Sequence, residues 1–457
     1  MWKPNVNIHT AHKATTLMDI LKKDIQSGRL VLGERLPTQQ NLAESTGIAK
    51  STVARVYQEA HAESLIKTIV GRGSFVAGKS DPFFQAVDLQ ADETLDLRLD
   101  YPIAELGISL SETLIQIAEE DCCHLLTYQE HAGRLECREA GVRWLALNDV
   151  TCSAEDIVMT SGAQHALTVC LSSVAKSGDS VVVEELTYPG IRETAEMLGI
   201  NLIPVTMDDN GINPDSLTEI LFAHRNIKAL YSSPTIQNPT TIFTPEYRRI
   251  EIGDICHKHG IFIIEDDIHR LFSDERPAPY VNLLPELTFF IAGLSKAVCG
   301  GLRVAYVVPP AALFKTVKRR ILATHWTLPP LMAEIATRWI NDGTAMTTLS
   351  TKKTEAEIRH RLAYKIIGAP FIKEKAASSY VWIDLPSEWT AEIFINEAFE
   401  NRVAVLGDGS FRVTPEALKP GIRLCLGAAP DRQRLETGLI KIAAMLKDGP
   451  GGSFGII

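Results

Sequence analysis

The sequence predicts two folded units, a small helical module closed by a β-hairpin and a large α/β body with a largely parallel sheet covered by helices. Three observations predict this. The chain is 457 residues long, enough for two or three domains. Near its start, apolar residues recur at helical spacing and are followed by two short β-rich runs. From about residue 157 the apolar runs are continuous, as in strands buried on both faces, and helical stretches separate most of them.

Charge divides along the same boundary. Residues 1–79 carry 11 Lys and Arg against 6 Asp and Glu, a balance of +5, so an overall charge of −10 leaves −15 on the rest. A basic head on an acidic body implies a polyanionic partner for the head alone. No apolar run approaches the roughly 20 residues that cross a bilayer, and the start MWKPNVNIHT lacks the pattern of a secretory signal, so the expected location is the cytoplasm. The eight cysteines show neither CxxC nor Cys/His metal spacing. They read as reduced thiols, and no metal site is expected.

In the head, Leu17, Ile20, Leu21 and Ile25 share one helical face that Gly28 ends. A second helix is predicted from Thr38, its N-cap, to a turn at Thr46-Gly47. A third runs from about Lys50 to Glu63, with Val53, Val56, Tyr57 and Ala60 on one stripe and Ser51, Arg55 and Gln58 opposite. Runs 65–69 and 74–77 flank the turn Val70-Gly71-Arg72-Gly73. This is the layout of a winged helix-turn-helix, whose polar-faced second helix enters the major groove of double-stranded DNA. A small helical cap with a merely solvated polar face is the other reading. The basic balance and the hairpin favour DNA, with Lys50, Ser51, Thr52 and Arg55 on the reading helix and Arg72 on the wing.

Residues 78–97 are polar and acidic without a period and read as a connector. In the body, strands are predicted at 180–185, 201–205, 227–233, 261–267, 288–293 and 302–308, with a helix at 245–259. Ligands of such sheets bind at the carboxyl ends of the strands. There, 157-IVMTSGAQHAL-167 turns from strand to helix through Ser161-Gly162, and the helix opens at Ala163-Gln164, a site suited to a phosphate. The strand 261-IFIIEDD-267 ends in carboxylates that serve as metal ligand, structural cap or partner of a protonated ring nitrogen. Asn238 precedes Pro239 in a loop, and Lys296 and Arg303 flank a glycine turn. A lone strand-end lysine is ordinarily where a strand surfaces. This ordered set instead fits pyridoxal phosphate, which needs a lysine, a carboxylate, a phenolate donor and a phosphate cradle.

The stretches LPTQQNLAESTGIAKSTVARVY and VGRGSFVA make residues 15–77 resemble the GntR winged-helix domain. Such domains usually carry a basic residue where Gln40 stands and a Ser or Thr cap where Ala49 stands. The body resembles the aspartate-aminotransferase-like, fold type I enzymes, and the whole chain resembles the MocR subgroup of GntR regulators. The resemblance implies a DNA-binding domain at 1–79, a linker at 80–97 and a pyridoxal 5'-phosphate-binding body at 98–445 with a smaller C-terminal α+β subdomain.

It further implies that Lys296 is the Schiff-base lysine, Asp266 the pyridine-nitrogen partner, Asn238 the phenolate-oxygen donor and Tyr188 the ring-stacking aromatic. Ser161, Gly162, Ala163, Gln164, Ser295 and Arg303 match phosphate-site positions. Tyr128 matches a tyrosine that reaches the neighbouring subunit's phosphate, which implies a homodimer, and Arg423 matches an arginine that clamps a substrate carboxylate. The family's tyrosine two or three residues after the aspartate is replaced here by Ile268 and His269, and Gly293 lacks a hydroxyl often found three residues before the lysine. The implied function is transcriptional regulation, the body sensing an amino compound as an aldimine. A working aminotransferase with an appended DNA-binding domain, or a DNA-binding scaffold without cofactor, are the alternatives.

Overall fold

The structure, a computed structural model, describes residues 2, 4, 13–26, 29–30, 35–62, 65–69, 73–76, 94–103, 108–120, 122–372, 378–414 and 419–451. The chain divides into two compact units, Met1–Leu89 and Gln90–Ile457.

The first unit contains α1 (Lys13–Gln26), α2 (Gln39–Thr46), α3 (Lys50–Ala62), β1 (Ile66–Ile69) and β2 (Gly73–Val76), the two strands pairing antiparallel. Thr38 caps α2 by accepting from the Asn41 amide at 3.2 Å, and Gly47 ends it at φ +66°, a conformation that favours glycine. Leu17, Leu21, Leu42, Val53, Val56 and Ala60 are fully buried and join the helices into one core. The phenol of Tyr57 donates to the Pro37 carbonyl at 2.8 Å, tying α3 to the start of α2. Gly28, Glu63 and Ala77 lie outside the described residues, as does the turn 70–72 with Arg72.

The second unit opens with β3 (Leu95–Asp96), α4 (Leu110–Glu119) and α5 (Leu135–Leu147). The main sheet and its crossovers follow as β4 (Val158–Thr160), α6 (Ala163–Val174), β5 (Ser180–Glu184), α7 (Pro189–Leu198), β6 (Asn201–Val205), the hairpin β7 (Met207–Asp208) and β8 (Gly211–Ile212), α8 (Pro214–Ala223), β9 (Ile227–Ser232), α9 (Glu246–His259), β10 (Phe262–Asp266), α10 (Tyr280–Leu283), β11 (Thr288–Gly293) and β12 (Ala305–Val308). Helices α11 (Phe314–Thr324), α12 (Pro330–Asn341) and α13 (Thr344–Ile367) lead to β13 (Tyr380–Asp384), α14 (Ala391–Glu400), β14 (Val403–Ala404), β15 (Leu406–Gly407), β16 (Gly421–Cys425) and α15 (Arg432–Asp448).

The seven-stranded sheet has the order β4-β12-β11-β10-β9-β5-β6. The pairings from β11 to β6 are parallel, and β12 runs antiparallel to both β11 and β4. Val181, Val182, Val183, Ile263, Ile264, Phe289, Phe290 and Ile291 are fully buried, as continuous apolar runs require of strands covered on both faces. The antiparallel sheet β13-β16-β15, with α13, α14 and α15, builds a separate apolar core, the smaller α+β subdomain.

The boundary of this unit differs from the sequence reading of a connector at 80–97. Strand β3 pairs with β14, and Leu95 and Leu97 are buried in the core of the α+β subdomain. The alternation Leu95-Asp96-Leu97-Arg98-Leu99-Asp100 straddles the boundary placed after residue 97, so the strand signal is split between connector and body and its membership shows in tertiary packing. At the other end, α15 runs past residue 445 to Asp448.

Candidate functional site

Register brings the polar residues of the body to one edge of the sheet. Thr160 pairs with Ala305 and Ala305 with Gly293, so the turns after β4, before β12 and after β11 are neighbours. These turns carry Ser161 and Gly162, Arg303, and Ser295 with Lys296. In β10, Asp266 pairs with Ile291 one strand away.

The three carboxylates ending β10 separate by the strand's alternation. Glu265 meets Arg249 at 3.5 Å, and Asp267 accepts from the Thr235 hydroxyl at 2.6 Å and lies 3.4 Å from Arg270. Both arginines are fully buried, so Glu265 and Asp267 are structural counter-charges. Asp266 points elsewhere: its Oδ2 accepts from the Tyr231 phenol at 3.0 Å, while its buried Oδ1 has no partner. Burial pushes its carboxyl up to about 6, the hydrogen bond from Tyr231 opposing the rise. A buried acceptor left open beside a raised carboxyl is suited to a cationic N–H donor.

The turn between β4 and α6 forms the cradle. Gly162 sits at φ +84°, a conformation that favours glycine, and the Arg303 guanidinium lies 2.6 Å from where its Cβ would be. Arg303 reaches Ser295 Oγ at 3.4 Å, and the buried Ser161 hydroxyl has no partner. Ala163 and Gln164 open α6, where first-turn amides lack intrahelical acceptors. The side chain of Gln164 turns to Gly190 and Thr194, bonding at 2.9 and 2.8 Å, and accepts from the Tyr188 phenol at 3.1 Å. The Ser161 amide is taken by His165 Nδ1 at 3.1 Å. Burial lowers that imidazole to about 4, so it is neutral and free to accept.

Lys296 follows β11 by three residues, and its Nζ pairs with Asp100 Oδ2 at 2.9 Å and also donates to the Asp100 carbonyl. The same carboxylate meets His269 Nε2 at 2.9 Å and accepts from Ser379 Oγ at 2.7 Å. Burial alone would raise the Asp100 carboxyl, but Lys296, His269 and Ser379 together hold it well below the usual range. His269 packs edge-on against Tyr380, and the Ile268 Cγ2 methyl lies 3.4 Å from the Cβ position of Gly293. The pair that stands for the expected tyrosine therefore supplies one imidazole, committed to Asp100, and one methyl group.

Arg423, on β16, is 2% exposed, donates to Asn238 Oδ1 at 2.7 Å and to the Arg98 carbonyl at 2.8 Å, and keeps a buried Nε without a partner. Its guanidinium lies 4.7 Å from the Phe411 ring centroid. With Asn238 Oδ1 accepting from Arg423, the amide NH2 of Asn238 is left to donate. Gln237 anchors this loop through Glu184 at 2.9 Å, and burial pushes the Glu184 carboxyl up to about 7. Tyr128 lies apart from this group, 85% exposed beside Trp326. Sequence reasoning did not single out Asp100, Tyr231, Glu184 or Ser379. Tyr231 and Glu184 had a signal, a phenol and a carboxylate near the ends of buried strands, each needing a partner.

The geometry accords with comparisons against known proteins. Residues 105–442 match the model of the family described as aminotransferase class I and II, and residues 13–76 match bacterial regulatory proteins of the gntR family. The chain belongs to the class I and II aminotransferase family. With its gntR head it is a regulator of the MocR type. The HTH-type transcriptional regulator YdeF of Bacillus subtilis is 26% identical over 98% of this chain and 97% of its own length. The 2-aminoadipate transaminase of Thermus thermophilus is 25% identical over 74% of this MocR-type chain and 85% of its own. Among solved structures, an archaeal alanine:glyoxylate aminotransferase superposes with a TM-score of 0.73, at 22% identity, over 81% of this chain and 94% of its own.

Membership of the aminotransferase family implies pyridoxal phosphate as the cofactor, and the residues present fit it. The unpartnered Asp266 oxygen suits a pyridine N–H, and the Ser161 hydroxyl, the first-turn amides and Arg303 suit a phosphate.

The head presents a different kind of surface. Lys50, Ser51, Arg55 and Gln58 are exposed on α3 and Thr52 is half-buried. Arg55 lies 3.6 Å from Glu59 with 63% of its side chain exposed, so it is free to exchange that partner for a phosphate or base. Ala49 supplies only its carbonyl to α3, accepting from Thr52 and Val53, and Gln40 bonds Glu44 at 2.7 Å. The gntR family match implies DNA binding by this unit. Among the described residues no helix is long and apolar enough to cross a membrane, and no three His, Cys, Asp or Glu side chains are grouped to hold a metal ion.

Proposed function

We propose that this chain is a pyridoxal-phosphate-dependent transcription regulator whose body senses an amino compound and whose head binds an operator as part of a homodimer in the cytoplasm. The observation that carries the reading is the unpartnered oxygen of buried Asp266, at the same sheet edge as Lys296, in a chain that also carries an exposed gntR reading helix. When bound, the cofactor supplies an aldehyde that captures primary amines and a ring that withdraws electrons.

The chain's own residues do the rest. Lys296 is the covalent anchor, Asp266 accepts the ring N–H, and Asn238 donates to the phenolate oxygen. Tyr188 covers the ring. Ser161, Gly162, Ala163, Gln164 through its amide, Ser295 and Arg303 hold the phosphate. Arg423 receives a carboxylate where the ligand has one, and Tyr128, exposed here, serves the partner's phosphate. On the head, Lys50, Ser51, Thr52 and Arg55, with Arg72 from outside the described residues, contact the duplex.

His269 commits its Nε2 to Asp100 and Ile268 offers only a methyl group, so neither supplies the phenol that the missing tyrosine would, which favours sensing over turnover. Likeness to 2-aminoadipate transaminase favours the second reading, a working aminotransferase. Mobility shift of the region upstream of its own gene, with and without cofactor and amines, tests the first. Steady-state transamination without an amine effect on DNA binding would establish the second.

A further inference from the structure

Asp100 has no task in the reading above, yet it is built into the site. Its side chain is 7% exposed, its Oδ2 lies 2.9 Å from both Lys296 Nζ and His269 Nε2, and its Oδ1 accepts from Ser379 at 2.7 Å. The chain leading to it is fixed as well, because Arg423 holds the carbonyl of Arg98, two residues earlier, at 2.8 Å. Arg423 thus has one donor on each Nη committed, to Asn238 and to that carbonyl.

An α-amino acid carries its carboxylate two bonds from its nitrogen. A ligand whose nitrogen comes to the position of Lys296 Nζ would bring an α-carboxylate to within about 6 Å of Asp100, where like charges shielded from bulk water repel. An amine without that group meets only attraction there. Asp100 stays ionised against its burial because three donors face it.

We propose that Asp100 sets the effector class of this site: it docks the incoming nitrogen as an ammonium and selects an amine with no carboxylate on the carbon bearing that nitrogen, in preference to an α-amino acid. The inference rests on the sensor reading of the body. It assigns Asp100 as a specificity residue, distinct from the cofactor-holding set.

The test uses matched ligands that differ only by the α-carboxylate, butylamine against norvaline and 1,4-diaminobutane against ornithine, added to the full chain loaded with pyridoxal phosphate. Binding is followed by the absorbance of the bound cofactor and, separately, by the thermal midpoint. The wild-type chain should bind each amine at least about tenfold more tightly than its amino-acid counterpart. Asp100→Asn should narrow that ratio to about threefold or less, chiefly by improving the amino acids, with Asp100→Gly as the second variant should the first fold poorly. Equal affinities in the wild type, or a ratio untouched by both substitutions, would overturn the assignment. Silence of all four ligands in wild type and variants is a different result and overturns the sensor reading itself.

Discussion

The head and the body treat charge in opposite ways. On the head, Arg55 and Glu59 face each other at 3.6 Å with more than half of each side chain in solvent, and Gln40 and Glu44 are likewise exposed. In the body, Arg249, Arg270 and Arg423 are buried, and each has defined acceptors. Wet charges cost little to keep and are exchanged readily for phosphates, which suits a surface that must bind and leave DNA. Dry charges are costly unless paired, so one left with an open acceptor, as at Asp266, points to a function. Substitutions should therefore act strongly and specifically in the body and weakly in the head.

The largest effect belongs to Lys296. Lys296→Ala should abolish the covalent pyridoxyl label that borohydride reduction leaves on the wild-type chain. A label retained at the wild-type level would place the anchor elsewhere and break the contrast at its strongest point.

Next come two carboxylates for which the same substitution should have opposite signs. The folded-state carboxyl of Asp266 is raised to about 6, above its ordinary value, so ionising it opposes folding of the cofactor-free chain. That cost is absent at low pH, where the group is protonated in both states, grows as pH rises toward 6, and is constant above. Asp266→Asn should thus stabilise the cofactor-free chain at pH 8 by about 3 kcal/mol relative to its effect near pH 2, while weakening cofactor binding.

Asp100 is the reverse case. Its folded-state carboxyl is depressed, so its contribution is present above its unfolded value and is lost as pH falls through the folded one. Asp100→Asn should destabilise the chain at pH 8 by roughly 2–3 kcal/mol, less than a sealed pair because Lys296 is 21% exposed. Denaturant titrations of both variants at pH 8, without cofactor, check the signs. Two changes of the same sign would mean that burial alone, rather than the donors around each group, governs the site.

These two residues also mark how far the sequence could be read. The helices of the head, the N-cap at Thr38 and the turn at Gly47 follow from local chemistry, because caps and periods are written in adjacent residues. Asp266, Lys296 and Asn238 could be proposed from sequence because they stand at strand ends or in the loops beyond them, in an order that one cofactor explains. Asp100 was not, since it meets Lys296 across 196 positions. No spacing rule spans that distance. The pairing of β3 was hidden for the same reason, its partner β14 lying some 300 positions on.

In the head the expected effects are smaller. Arg55→Ala should weaken operator binding by about 1–3 kcal/mol if the guanidinium reads a base edge, and should relax preference at a single position. Mobility shifts on the upstream region and on single-base variants measure both. Loss that is uniform across sequences would reassign Arg55 to phosphate contact, and no loss at all would remove the DNA-facing assignment of α3.

The smallest effect isolates the helix from its ligand. Ala49 precedes α3 and offers the Thr52 and Val53 amides its backbone carbonyl but no side-chain acceptor. Ala49→Ser adds a hydroxyl that can accept from the first turn, and such a cap contributes about 1 kcal/mol. Ala49 is exposed, so the added oxygen meets no packing cost. Hydrogen exchange of the first-turn amides of α3 in the full chain should slow about fivefold, with exchange in the main sheet unchanged. If exchange in the sheet slowed too, the two units would share one opening event, and the separation of a wet, locally held head from a dry, globally held body would fail. If α3 alone is protected, that separation is sharpened, and any gain in operator affinity measures how much of the binding energy is used to order the reading helix.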